Sequence, residues 1–225
     1  MNRPAAGGPL LIAGIAVAAV LVVGSVWWIH ERGDDPRTQH STASGQPHKD
    51  LLHLELVDWR NTAIPGGLCR HQGPIQLRDG TATSVSSTFD GPEPEMPQDV
   101  SAFTSDVVYG DLTGDGQWEA TLPVICANHN STAAGQRALG VMVFDGSTGR
   151  LRHLGTIAGQ QPRLGEPPNF LRIEKITRNR ITATETFYGP HDANCCPSGV
   201  ADDTWSYQNG KFVPASSRVR TQPSP

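Results

Sequence analysis

From residue 10 to residue 29 the chain reads L-L-I-A-G-I-A-V-A-A-V-L-V-V-G-S-V-W-W-I, without one charged side chain. At about 1.5 Å per residue this run makes a helix of roughly 30 Å, the thickness of a bilayer's hydrocarbon core, so the pattern predicts one transmembrane anchor. Trp27 and Trp28 close it where amphipathic rings settle, at headgroup level. No small-x-small cleavage site follows, which favours an uncleaved anchor over a signal peptide. Residues 30–49 turn abruptly polar, with Ala43 the lone apolar side chain after Glu31. Such a stretch buries too little surface to offset its ordering entropy, and it predicts a tether. The organisation expected is therefore a cytoplasmic N-terminus at 1–9, the anchor at 10–29, the tether at 30–49, a folded domain at 50–215 and an unstructured tail at 216–225.

Within the domain, apolar positions alternate over short runs broken by turn residues. Residues 180–188 (R-I-T-A-T-E-T-F-Y) put Ile181, Ala183, Glu185 and Phe187 on one face and Thr182, Thr184, Thr186 and Tyr188 on the other, as a half-buried strand does. A second run at 170–176 precedes it. Residues 204–208 and 211–213 flank Asn209-Gly210, a strong hairpin signal because both turn positions need positive φ. Residues 138–144 and 150–156 flank D-G-S-T-G, and 74–77 precede Asp79-Gly80; each reads as a hairpin. Residues 51–59 fit either a strand or one short helix. The prediction is an antiparallel, mainly β domain of about eight to ten strands, a sandwich or a partly closed barrel. No repeat of propeller size recurs.

Composition sharpens this picture. Gly 24 and Pro 18 disfavour a helical bundle, and the 37 % hydrophobic content is inflated by the membrane run. A net charge of −4 argues against nucleic-acid binding, which needs clustered Lys and Arg. Arg3 on one side of the anchor against Arg32 and Arg37 on the other barely decides orientation. The cysteines decide it better. Cys69, Cys126, Cys195 and Cys196 form an even set beyond the anchor, as expected where disulfides persist, so the domain is expected outside with the N-terminus inside. Three pairings are open to them.

Residues 107–125 carry the sharpest motif, V-V-Y-G-D-L-T-G-D-G-Q-W-E-A-T-L-P-V-I. Asp111, Thr113, Asp115 and Glu119 offer oxygens at alternate loop positions, with Gly116 permitting a sharp turn and the Gln117 carbonyl following it. Calcium takes six to eight such oxygens, which makes Ca²⁺ the candidate cofactor of this turn. The metal-free alternative is a turn whose aspartates cap its own backbone N–H groups.

This stretch resembles the calcium loop of FG-GAP and integrin-type propeller repeats, with Thr113 and Glu119 departing from that pattern. Occurring once, it implies calcium binding at most and says nothing about a propeller. A wider set, D-W-R-N at 58–61, P-G-G-L-C at 65–69, the turn itself, P-V-I-C-A-N at 123–128 and Y-G-P-H-D-A-N-C-C-P-S-G at 188–199, resembles a group of bacterial exported proteins, anchored or lipid-linked, with no assigned activity. That resemblance implies export.

Other chemistry is sparse. Cys126, His129, His191 and Cys195 have spacings that could build a zinc site, and His191 with Asp192 could serve Ser198 as base and orienting partner. No G-x-S-x-G, H-E-x-x-H or phosphate-cradling glycine loop is present. Trp59, Trp118 and Trp205 are expected in the sheet core. The leading expectation is an anchored extracytoplasmic binding or envelope-associated module. The rival is an envelope hydrolase using Asp111, Glu119, His191 and Asp192.

Overall fold

The computed structural model describes residues 51–88, 96–131, 137–164 and 167–222. The expected N-terminus, anchor and tether lie outside the described residues. No helix among those described is long and apolar enough to cross a membrane.

Twelve strands are described: β1 Ala63–Pro65, β2 Pro74–Gln76, β3 Thr81–Val85, β4 Gln98–Ala102, β5 Val108–Gly110, β6 Glu119–Asn128, β7 Arg137–Asp145, β8 Arg152–Ile157, β9 Phe170–Thr177, β10 Arg180–Phe187, β11 Gly199–Gln208 and β12 Lys211–Thr221. They form three open antiparallel sheets. One is the pair β1-β2, one has the order β3-β4-β6-β7-β8 with β5 beside β6, and one is the meander β12-β11-β10-β9. The mainly β, antiparallel expectation holds, and no sheet closes into a barrel.

The six-stranded sheet is the middle layer. Ala120, Leu122, Val124, Cys126, Met142 and Phe144 face a core completed by Leu54, Trp59, Ile64, Ile75 and Leu77. On the other face Val141, Val143 and Ile157 meet Leu171, Ile173, Ile176, Ile181, Ala183 and Trp205. Burial on both faces explains why β7 reads as an almost unbroken apolar run where β10 alternates. One edge of β6 serves two partners in turn, β5 against Glu119, Ala120 and Thr121, then β4 from Val124 to Asn128. Pro123, with no N–H to give a ladder, falls between the two. A disulfide joins Cys69, in the short 3₁₀ turn Gly67–Cys69, to Cys126 of β6 across a separation of 57 residues. Both sulfurs' residues are fully buried.

Several expectations are corrected here. Residues 51–59 are neither strand nor α-helix: they hold the 3₁₀ turn Leu54–Leu56 and the start of a second, Trp59–Asn61. Asp79-Gly80 is a tight turn closed by Arg78 and Thr81, but it joins no hairpin, because β2 pairs with β1 and β3 with β4. Strands β11 and β12 are far longer than their apolar cores, pairing from Gln208↔Lys211 to Val200↔Thr221. Residues 216–221, expected in an unstructured tail, are thus half of a strand. Its side chains are almost all exposed, so hydrogen bonding to β11 and not apolar periodicity holds it. Trp59 and Trp205 are buried as expected, whereas Trp118 is 53 % exposed, standing at the outgoing end of a turn with Tyr109 beside it.

Candidate functional site

Of the five residues proposed for calcium, Asp111, Thr113, Asp115 and Gln117 lie in the turn from β5 to β6 and Glu119 opens β6. Asp111 accepts hydrogen bonds from the backbone N–H of Gly114 at 2.6 Å and of Gly116 at 3.2 Å, one on each carboxylate oxygen. Asp115 accepts from the N–H of Gln117 at 2.8 Å. Glu119, fully buried at the head of β6, turns back into the loop and accepts from the N–H of Leu112 at 2.6 Å and of Thr113 at 3.0 Å. Thr113 Oγ1 donates to its other oxygen at 3.2 Å. Burial pushes the Glu119 carboxyl up, against the three hydrogen bonds that favour its charged form, and Asp115 adds to the rise.

This turn is also pressed onto the four-stranded sheet. Leu112 is buried in the second core and its carbonyl accepts from the N–H of Asn179, at the β9–β10 turn, at 2.7 Å. A Cβ at Gly110 would meet the Ile176 carbonyl oxygen at 2.6 Å, so only glycine lets β5 lie this close to β9. A Cβ at Gly114 would meet the Arg178 side chain, which places a guanidinium at the turn.

The fit to Ca²⁺ is poor as folded. A cation needs lone pairs aimed at a common point, and both oxygens of Asp111 and of Glu119 are already engaged by the turn's own donors. As folded, these carboxylates cap the turn's own N–H groups. Among the described residues no three His, Cys, Asp or Glu side chains gather as metal ligands.

The remaining chemical candidates separate. Cys195 is bonded to its neighbour Cys196, so neither it nor Cys126 has a thiolate to give zinc. His129 Nδ1 instead meets Asp99 Oδ1 at 2.8 Å. In the loop from β10 to β11, Asp192 accepts from the N–H groups of Gly189 at 2.7 Å and Ser198 at 2.9 Å, which with the Ser198 hydroxyl hold its carboxyl below the usual range. Ser198 Oγ donates to Asp192 at 2.8 Å, so its proton goes to a carboxylate and not to an imidazole base. Strand β10 keeps this loop from the Asp-rich turn. The turn bonds to Asn179 at one end of the strand and the loop begins after Phe187 at the other, about 25 Å of extended chain away.

What no motif announced is a cleft of about 500 Å³ where the two larger sheets part. Phe103, Val107, Pro123 and Leu139 line it from one side, Phe170 and Ile173 of β9 from the other, with Asp106 and Arg172 among its polar groups. Strand β9 ends its sheet, so one edge of its first half faces this space unpaired by any strand. The sequence carried no signal for it, because its lining comes from separate parts of the chain; in the structure Phe103 stands exposed beside the short turn Thr104–Asp106. No family model matches the chain, no curated protein is significantly similar to it, and no solved structure matches its fold.

Proposed function

We propose that this chain is a membrane-anchored extracytoplasmic binding domain. Residues 10–29 span the bilayer with the N-terminus inside, residues 30–49 space the domain from the surface, and the folded part takes the apolar portion of a ligand in the cleft beside β9. The observation that carries this reading is the Cys69–Cys126 bond at full burial between two core segments. Disulfides of this kind persist in oxidising compartments, and a 20-residue oily run without a well-placed cleavage site after it stays in lipid. The cleft supports the binding half, as the largely apolar concavity with a few polar groups that small ligands favour. The hydrolase reading loses its support, since Asp111 and Glu119 cap one turn while Asp192 caps a loop at the far end of β10.

Expressed at full length in a bacterium, the protein is expected to stay with membranes through a carbonate wash and to be trimmed by protease added outside spheroplasts. Its cysteines should resist maleimide until reduced. Recovery from the soluble cytosol with four reactive thiols overturns the proposal. For the cleft, the fluorophore N-phenylnaphthylamine should bind the detergent-held protein, and Phe103→Arg should weaken it by at least about fivefold at an unchanged Tm. Equal affinity in the two proteins removes the cleft as the binding seat.

A further inference from the structure

Two carboxylates sit inside the second core with no role in the site above. Glu185 is 0 % and Asp203 1 % exposed. Glu185 pairs across to Ala201 and Asp203 to Ala183, which puts the two acids at diagonal positions on the inner face of neighbouring strands β10 and β11. Gly159, Gln160, Gln161 and Asn169 lie against Glu185. Gln160 N–H donates to Glu185 Oε2 at 2.7 Å, Gln161 N–H reaches both oxygens at 3.0 and 3.2 Å, and Asn169 Nδ2 donates to Oε1 at 2.6 Å. Three donors thus make four contacts with this carboxyl, two on each oxygen. Asp203 is the opposite case: no donor reaches either of its oxygens, and the Glu185 carboxyl lies beside it.

Two buried carboxylates side by side cannot both be charged at reasonable cost, because desolvation and like-charge repulsion act together. We propose that the two acids hold one proton between them, carried by Glu185 and donated to an Asp203 oxygen that no other group reaches, and that this bound proton holds residues 158–164 closed over the sheet. Charged groups on the surrounding elements lie at the surface. Arg172 pairs with Glu174 on β9, Arg220 with Asp202 across β11 and β12, and Arg163, Lys175 and Arg218 are exposed. A cation is the competing occupant, prompted by the Asn169 carbonyl oxygen, which also lacks a partner. It is disfavoured because three N–H donors already turn their positive ends on the Glu185 oxygens, and because the backbone at Gly159 is so close that a Cβ there would meet Oε1.

Burial, and then Asp203 beside it, raise the Glu185 carboxyl from 4.5 to about 7. A carboxyl whose folded value is raised contributes stability fully below its unfolded value, and loses it as pH climbs through the folded one. The window is thus about pH 4.5 to 7. Above it, two charges face each other, and the relief is to lift residues 158–164 and admit water.

The test uses the full chain in detergent. Its Tm is expected to fall by about 5 °C or more between pH 5 and pH 8, with faster amide exchange at Gln160 and Gln161. Asp203→Asn supplies a donor with no proton to lose, and should flatten the pH dependence and protect those amides at pH 8. Independently of any variant, the infrared band of a protonated carboxyl should persist in the wild type to about neutral pH, far above the ordinary carboxylate range. The proposal is overturned by a wild-type slope in Asp203→Asn, by loss of that band below about pH 5.5, or by calcium or magnesium restoring the pH 5 Tm at pH 8.

Discussion

The double variant Cys69→Ala with Cys126→Ala is expected to melt about 8–16 °C below the wild type, as read by circular dichroism. The bond closes a separation of 57 residues. Chain-entropy arguments give a loop of that size about 4 kcal/mol, and a domain of this size moves roughly 2–4 °C per kcal/mol. It ties the segment that covers one face of the middle sheet to the strand at that sheet's centre, so its loss loosens the whole first core. The second disulfide is a control built into the chain. Cys195 and Cys196 are adjacent, so their bond constrains almost nothing in the unfolded state, and replacing both should move the melt by less than about 2 °C. Equal shifts for the two pairs would refute this account of where the stability lies.

Glu119→Ala is expected to cost about 3 kcal/mol, lowering Tm by roughly 6–12 °C. The loss is more than a cavity. Leu112 N–H, Thr113 N–H and Thr113 Oγ1 all donate to this one side chain, and the first of them is buried. Removing the acceptor leaves donors that the folded turn cannot pair elsewhere, whereas Glu119→Gln keeps the shape and should lose less. Melts taken with millimolar calcium and with chelator should superimpose for the wild type. A rise in Tm with calcium would mean that the turn rearranges to hold the ion, since a ligand that binds the native state alone must stabilise it.

The sequence was most informative where burial leaves a periodicity. Strand β10, with Ile181, Ala183 and Phe187 inward, and the turns at Asn179 and at Asn209-Gly210, with positive φ at each asparagine, fold as their residues suggest. Strand β12 is the reverse, because a strand held by backbone pairing with its side chains in water has no apolar rhythm to read. The Asp-rich turn was located correctly by its spacing, but spacing cannot distinguish oxygens aimed at an ion from oxygens aimed at the turn's own N–H groups. Geometry here makes Glu119 a cap. Glu185 was visible in another way. It was the one acid on the apolar face of an alternating strand, a position where a charge is tolerated only with dedicated partners. Its partners, Gln160, Gln161, Asn169 and Asp203, come from three separate parts of the chain, and no local pattern could have gathered them.

The length of β12 bears on how the domain can be trimmed. Ending the chain at residue 215, where the apolar pattern stops, would strip Ser216, Ser217, Arg218, Val219 and Thr221 from their partners and bare the edge of β11 from Val200 to Thr204. Unpaired strand edges recruit other chains, and the polar cover that β12 supplies, including Arg218 and Arg220, is what keeps this one from doing so. A shortened form that stops there would aggregate through an edge the intact molecule never presents.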